Sequence, residues 1–423
     1  MDGSAESHDR TSIERLYEER LSRTLDAVAL RQPDRVPIYM PAGYLLAEYG
    51  GISNQRLQDD VEKYQELIEK FACEFGPDII GPPPMRPEVS KVVGDRMTKW
   101  PGVGLPESGS FQFAEAEFMK ADDYEAFLRD PTDWILRTYV PRAFSNLESL
   151  AELPPLGMWA DGYFNLRSLG LCDTPGIAAA VQVLNEAVQT AAKESRRVAE
   201  STRRLAARGF PPVFWAGSGL KAPFDFMSDT LRGMRGSMLD LLQRPDQLLE
   251  AEERVLAIEL ESAVTIARKT GLRGAFIPLH RGSDGFMSLP QFERFYWPQL
   301  KRLIVGLVDN DILPYVFYEG VWDKRLDYLT ELPKGKTVGA FQKSEIFRVK
   351  ETVGKTMCIV GGMPASLLKA GTLAEVRAFT RELCERVGEG GGYIMAPGVT
   401  ELGGSKLELV RAWVEATREF GTY

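Results

Sequence analysis

Two side chains that could move a proton each end a short apolar segment of this 423-residue chain. His280 ends the segment AFIPLH (Ala275–His280), and Glu319 ends the segment LPYVFYE (Leu313–Glu319). Both segments are rich in aromatic and branched residues and are followed by turn residues, a pattern that predicts buried strands. A histidine and a carboxylate that meet at one place can transfer protons or bind a cation. His280 and Glu319 are therefore the candidate catalytic residues.

The residues between the two segments predict how these strands are arranged. Ser288–Leu307 has the pattern of a helix, in which Ser288 and Gln291 form a capping box. A strand–helix–strand unit of this length is a parallel crossover. Parallel neighbours lie about 4.8 Å apart, and α/β barrels place their active sites at the carboxyl ends of the strands. We therefore expect His280 and Glu319 to face one pocket.

Each member of the pair also has a structural alternative. A core histidine commonly donates a hydrogen bond to a backbone carbonyl, and His280 would then have no chemical role. Glu319 would instead form an ion pair with Lys324 or Arg325, which follow it closely. Placement at the ends of apolar strands favours the pocket role for both residues.

His280 and Glu319 are also candidate ligands of a metal ion. Zinc could bind His280 and Glu319, but catalytic zinc normally has three protein ligands. Asp225 and Gln342, each near a predicted strand end, are the candidates for the third ligand.

The pocket is predicted to have aromatic walls, which suit a bulky apolar ligand. The aromatic residues predicted to lie in loops, Tyr44, Phe224 and Phe226, are not expected to belong to the core. The candidate substrate- or cofactor-binding residues are Tyr39, Met40, Tyr44, Trp215, Phe224, Asp225, Phe317, Tyr318 and Gln342.

Alternation of strands and helices predicts the fold class, an α/β TIM (β/α)8-type barrel with an N-terminal extension and a helical insertion. Residues 1–33 are expected to form a polar leader and a helix from Ser12, and residues 34–423 one barrel with its insertion at about 160–212. A doubly wound open sheet is the alternative, but the dinucleotide fingerprint typical of that fold is missing. The eight predicted strands are 35–39, 78–80, 213–216, 275–280, 313–318, 337–341, 357–361 and 392–396.

The composition of the chain argues against some classes of binding partner. The net charge is −9 with no long basic run, so nucleic acid is not an expected partner. The four cysteines are scattered and form no CxxC pair, which argues against a disulfide framework. No stretch approaches the roughly 18 apolar residues of a membrane helix, and the polar N-terminus has no signal core. We expect a soluble, cytoplasmic protein that has no membrane partner.

Several segments occur in a recognisable order along residues 34–420. They are DRVPIYMPAGYLLAEY, GLKAPFDFMSDTLRG, GSDGFMSLPQFERFYWPQLKRLI, LPYVFYEG, IVGGMPASLLKAGT and YIMAPGV. This order of motifs resembles the uroporphyrinogen decarboxylase superfamily, and the resemblance implies a single TIM-type barrel.

The residues that the resemblance assigns to the decarboxylases are missing from this chain. The first loop, which carries substrate-binding arginines in those enzymes, is Met40–Tyr44 here and has none. The family aspartate falls near Pro82–Pro83, the family tyrosine at Asp229, and the late family histidine near Gly398–Val399. Decarboxylation of a porphyrinogen is therefore not expected.

The segments GGMPASLLKAGT and YIMAPG look closer to the corrinoid-dependent methyltransferases of the same superfamily. In that branch a His-x-Cys pair and a later cysteine hold a zinc that activates a thiol. Here the first position is Phe317–Glu319 and the second is Val399, so the thiol site is absent and a carboxylate replaces one ligand. The resemblance then implies methyl transfer with a substrate other than a simple thiol.

We expect that substrate to be bulky and apolar, such as an aryl methyl ether, a phenol or a steroid. The chain lacks a DxHxxG signature, so the corrinoid (cobalamin) is expected on a separate corrinoid protein. Two alternatives stay open at this point. They are a lyase, such as a decarboxylase of a non-porphyrin substrate, and a non-catalytic tetrapyrrole-binding protein.

Overall fold

A computed structural model describes residues 3–160, 166–214 and 217–423. These residues form two compact units. The first comprises the described residues within 1–84, 199–222 and 256–423, and the second comprises those within 85–198 and 223–255. The sequence predicts one barrel with an insertion at about 160–212, whereas the second unit begins much earlier in the chain and takes in a further segment.

The described residues of the first unit contain eight strands, β1 to β8. They are Tyr39–Met40, Ile79–Ile80, Gly217–Gly219, Gly274–Leu279, Leu313–Tyr318, Val338–Phe341, Cys358–Met363 and Tyr393–Pro397. Strands β3 to β8 form one parallel sheet in chain order, and β1 pairs in parallel with β2. A parallel bridge from Ile38 to Met395 joins β8 to β1, so the strands run in order from β3 through β8 to β1 and β2. The predicted TIM-type barrel is confirmed.

Apolar side chains fill the inside of the barrel. Alternate residues of each strand point inward, which is the geometry of a pleated strand. Ala27 and Val28, at the end of the N-terminal helix, pack against the same core. The interior residues are Tyr39, Ile79, Phe214, Tyr315, Phe317, Val338, Ala340, Cys358, Val360, Ile394 and Ala396.

Helices follow most strands of the barrel. The capping box predicted at Ser288 is present, and Thr372 forms a second one with Glu375. The last helix begins at Leu407 and has Lys406 as its N-cap. The helices are Gly3–Val28, Leu45–Gly50, Asn54–Asp59, Val61–Phe75, Leu289–Gln291, Phe292–Tyr296, Trp297–Asp309, Leu326–Leu329, Ile346–Val353, Ala365–Ala370, Leu373–Glu382, Leu383–Val387 and Leu407–Phe420.

A buried ion cluster lies before the first two strands. Asp78, which is fully buried, accepts hydrogen bonds from Arg23 at 2.5 Å, from Arg35 at 2.8 Å and from the Ile38 N–H at 2.8 Å. Burial lowers the pKa of the neighbouring Arg20 to about 10. The N-terminal helix begins at Gly3 rather than at Ser12, and this cluster fixes its last turns to the barrel. In TIM barrels such features at the amino ends of the strands stabilise the fold.

The second unit is mainly helical and carries a small sheet of the strands Thr98–Pro101, Gly104–Leu105 and Gln112–Phe113. At its centre Arg232 donates to Asp240 at 2.6 Å and to the Met119 carbonyl at 2.7 Å. Two helices, Pro175–Ala206 and Pro245–Thr270, have residues in both units. The remaining helices are Glu88–Val93, Ala121–Asp123, Tyr124–Arg129, Pro131–Trp134, Ile135–Tyr139, Val140–Ala143, Ser145–Glu152, Leu156–Ala160, Leu166–Cys172, Pro223–Phe226, Met227–Leu231 and Gly233–Gln243.

Across the described ranges of the chain, none of the helices combines the length and the apolar character that crossing a membrane requires.

Candidate active site

The register of two neighbouring strands brings His280 and Glu319 together. In the ladder between β4 and β5, Pro278 lies opposite Phe317. Phe317 faces the barrel interior, so the next residues with the same direction are His280 and Glu319. The His280 Nε2 atom lies 3.5 Å from the Glu319 Oε2 atom. The predicted pair is therefore present at the carboxyl ends of the two strands.

The pair is accessible to a ligand. The His280 side chain is 27% exposed and the Glu319 side chain is 46% exposed. At 3.5 Å the two atoms are within ion-pair distance when the imidazole is protonated. Arg325, one of the two alternative partners of Glu319, pairs with Asp284 instead. This arrangement suits general acid–base chemistry on a ligand at the barrel mouth.

Two side chains fix the backbone that carries Glu319. The indole N–H of Trp322 donates to the Glu319 carbonyl oxygen at 2.9 Å. The Gly320 N–H donates to the Gln342 Oε1 atom at 2.8 Å. Gly320 has a φ of +78°, a conformation that favours glycine. Gln342, a predicted binding residue, thus holds the turn after β5.

The loops after β4 and β5 are tied to each other by charge. Arg325 is 1% exposed, forms an ion pair with Asp284 and donates to the Met287 carbonyl at 2.7 Å. The Asp284 N–H donates to the Val321 carbonyl at 2.8 Å. The sequence signal for this link is a pair of opposite charges shortly after two adjacent strands, and sequence reasoning did not use it.

The predicted aromatic wall divides between two sides of the barrel strands. Tyr39 and Phe317 face the interior, where the Tyr39 ring lies 6.0 Å from the Phe214 ring. Tyr318 points to the other side, because it stacks on Phe341 at 4.6 Å and contacts Trp322 at 5.0 Å. The prediction that Tyr318 lines the pocket is therefore wrong.

Met40 and Tyr44 are also buried. Met40 follows the inward-facing Tyr39 and so points away from the interior by strand alternation. The Tyr44 hydroxyl accepts a hydrogen bond from Gln58 at 2.8 Å, and its N–H donates to Glu401 at 3.2 Å. The expectation that the loop position of Tyr44 keeps it out of the core is wrong. Glu401, which sequence reasoning missed, ties the loop after β1 to the loop after β8.

Trp215, one of the predicted binding residues, lies outside the described residues. Phe224 and Asp225 belong to the second unit and are almost completely buried, which corrects the expectation that Phe224 is a loop residue outside the core. Burial, together with the charges of Glu253 and Asp225, raises the pKa of Glu252 well above its usual range.

Glu259 is a buried carboxylate that the sequence did not single out. It is 7% exposed, and its Oε2 atom accepts the Lys221 N–H at 2.9 Å in the loop after β3. Burial raises the pKa of Glu259 to about 7, although the hydrogen bond from Lys221 opposes that shift. Glu259 therefore changes its charge near neutral pH.

The residues do not fit a zinc site. Within residues 3–160, 166–214 and 217–423, no group of three histidine, cysteine, aspartate or glutamate side chains could hold a metal ion. His280 and Glu319 supply two ligands, one fewer than catalytic zinc normally has. The Oε1 atom of Gln342, a candidate third ligand, accepts the Gly320 N–H. We therefore assign no step to a metal.

An eight-stranded parallel barrel with a histidine–carboxylate pair at the carboxyl ends of adjacent strands has the architecture of TIM-barrel enzymes. The sequence model of the family described as Uroporphyrinogen decarboxylase (URO-D) matches residues 174–420, more than half of the chain. The chain belongs to this family.

Among solved structures, the chain is similar to one described as a methyltransferase from Methanosarcina mazei. The two share 16% sequence identity with a TM-score of 0.59, and the match covers 94% of this chain and 98% of that chain. At this identity the similarity supports the fold alone. No curated protein is similar enough to be matched to the chain.

Proposed function

We propose that this protein is a corrinoid-dependent methyltransferase. It moves a methyl group between a corrinoid protein and a bulky apolar substrate, such as an aryl methyl ether, a phenol or a steroid. The observation that carries the proposal is the 3.5 Å approach of His280 Nε2 to Glu319 Oε2 at an accessible position on a barrel of this family.

The sequence of the loop after β1 and the identity of residue 319 favour methyl transfer over porphyrinogen decarboxylation. A substrate with many carboxylates needs several cationic partners. The loop after β1, Met40–Tyr44, has no arginine. By the resemblance, Glu319 stands at the position of a zinc-bound cysteine in the thiol-activating methyltransferases. An oxygen nucleophile or leaving group is therefore a better match for this site than a thiol.

Exposed apolar side chains in the two loops that follow the pair fit the proposed ligands. Phe286 and Val321 are exposed and lie in the loops that follow β4 and β5. An aromatic substrate or a corrin ring brought by a partner protein could pack against such side chains. A bound corrinoid would supply the cobalt centre that gives or takes the methyl group.

The pair would manage the proton of the substrate oxygen. An oxygen within hydrogen-bond distance of both side chains takes a proton from His280 as it loses its methyl group. The Glu319 carboxylate stabilises the imidazolium that supplies this proton. When a phenol accepts a methyl group, the same pair removes the phenolic proton. Holding the reacting groups in line would supply much of the remaining rate enhancement.

A cytoplasmic location is part of the proposal. The four cysteines, all within the described residues, are free thiols. Free thiols are typical of proteins in reducing compartments.

The proposal is tested with free cobalamin in place of the corrinoid protein. The purified protein is incubated with cob(I)alamin and a panel of aryl methyl ethers, or with methylcobalamin and a panel of phenols and steroids, while the cobalt absorption spectrum is followed. We expect conversion between the two cobalamin forms with at least one substrate. Release of CO2 from a carboxylated analogue without any cobalt change would favour the lyase. Binding of cobalamin or porphyrin with no turnover would favour a non-catalytic tetrapyrrole-binding protein.

A further inference from the structure

The His280–Glu319 pair cannot fix its own geometry. Both side chains are partly exposed and their closest atoms are 3.5 Å apart. Exposed ion pairs contribute about 1 kcal/mol or less, so their attraction does little to hold the separation. The geometry must therefore come from the buried residues beneath the two loops.

Trp322 is one buried residue that contacts both loops. It is completely buried and donates its indole N–H to the Glu319 carbonyl at 2.9 Å. Its ring lies directly against Gly282, where an added Cβ atom would come within 2.4 Å of Trp322 and of Tyr296. The loop that begins at His280 therefore follows the face of this indole, while the backbone of Glu319 is bonded to its edge.

The ion pair of Asp284 with Arg325 holds the same two loops from further along the chain. Asp284 also accepts the Lys324 N–H at 3.1 Å, and the Arg325 N–H donates to the Trp322 carbonyl at 2.9 Å. Trp322 is thereby held by the charged link as well as by ring contacts.

We propose that Trp322 is a positioning residue that sets the separation of His280 and Glu319. This inference rests on the proposed function for its kinetic consequence, but the geometry can be tested without a substrate. The links from the Trp322 side chain to the two loops run to the Glu319 carbonyl and to Gly282, so Trp322 acts through the pair. A misplacement of about 1 Å in an active site can lower the rate by about a hundredfold.

Trp322→Phe is the first test, because it removes the N–H and shortens the ring. The matched control is Trp413→Phe, since Trp413 is also completely buried and its N–H has no hydrogen-bond partner within the described residues. We expect Trp322→Phe to lower kcat by about ten- to a hundredfold with little change in KM, and Trp413→Phe to leave both unchanged. Benzothienylalanine at position 322 keeps the shape of tryptophan without the N–H, and serves if the phenylalanine variant unfolds.

Nuclear magnetic resonance gives a readout that needs no turnover. The chain has two histidines, His8 and His280, so the ring signals of His280 are assigned with a His8→Gln variant. We expect Glu319→Gln to shift these signals in the wild-type background and to shift them much less in Trp322→Phe. An equal shift in both backgrounds, with kcat unchanged in Trp322→Phe, would overturn the positioning role. If Glu319→Gln shifts the His280 signals much less in Trp322→Phe but the wild type transfers no methyl group, the positioning role is retained and the proposed function is rejected.

Discussion

Glu319 follows Phe317 and His280 follows Pro278 on two strands whose ladder pairs Pro278 with Phe317, so that the imidazole and the carboxylate end 3.5 Å apart. The register places both side chains on the same face, since a shift of one residue would turn one of them to the other face of its strand. That the two residues meet is therefore as well defined as the barrel itself.

Removing either member of the pair should impair turnover without unfolding the protein. Glu319→Gln keeps the size of the side chain and removes its charge. Loss of a general acid or base typically costs a hundredfold or more, and we expect at least about that loss for Glu319→Gln and for His280→Ala. Methyl-transfer rates and thermal unfolding are measured together. The exposed Glu351 supplies the control, Glu351→Gln. Near-normal turnover of Glu319→Gln would place the site elsewhere.

Glu259 should make the stability of the barrel depend on pH. Its folded pKa of about 7 lies above the ordinary value of 4.5 because the side chain is buried. The folded state therefore binds the proton more tightly, so this contribution to stability is complete below about pH 4.5 and is lost as pH rises through 7.

Glu259→Gln keeps an acceptor for the Lys221 N–H and cannot ionise. Relative to the wild type, this variant should gain up to about 3 kcal/mol between pH 4.5 and pH 8. Urea unfolding at several pH values measures the difference. A constant difference across that range would show that Glu259 does not titrate between the folded and unfolded states.

Asp78→Asn should destabilise the first unit strongly. The change removes the buried carboxylate that pairs with Arg23 and Arg35, while Arg23 keeps its ion pair with the more exposed Asp34. Removing one partner of a buried ion pair lowers the free energy of unfolding by about 3 kcal/mol or more. The urea midpoint is compared with that of Asp309→Asn, a change at an exposed helix end. Equal midpoints for the two variants would contradict a stabilising role for the cluster.

Tyr318→Phe distinguishes the observed position of Tyr318 from the one that the sequence predicted. Its hydroxyl is buried and has no hydrogen-bond partner within the described residues. Removing an unsatisfied buried hydroxyl recovers a desolvation cost of about 1 kcal/mol. We expect unchanged turnover and equal or higher stability. A tenfold loss of turnover would place this hydroxyl in the pocket.

The parts that sequence reasoning predicted depend on local pattern. His280 and Glu319 end apolar strands, and the strand-end rule of parallel barrels brings such residues to one edge. The alternation of apolar runs with helical patterns predicts the eight strands. Most of the observed strands lie within a few residues of their predicted positions. Gln342 was predicted near the site by its strand end, and it fixes the turn that follows Glu319.

The errors come from information that a local pattern lacks. Tyr318 and Phe317 are both aromatic, and only the register decides which one faces the interior. Phe224 belongs to a second compact unit built from two distant segments, and periodicity does not show such a division. The link of Asp284 to Arg325 joins two loops across the sheet edge, which becomes visible only when the strands are paired.

A double-mutant cycle on methyl transfer tests the central claim most directly. Rates of methyl transfer between free cobalamin and an aryl methyl ether or phenol are measured for the wild type, Glu319→Gln, His280→Gln and the double variant. Catalytic residues that act as one unit are strongly non-additive. We predict that the double variant is no slower than the slower single variant, within about twofold. Losses that multiply would contradict a shared proton-transfer role of His280 and Glu319, and a wild type that transfers no methyl group would contradict the proposed function itself.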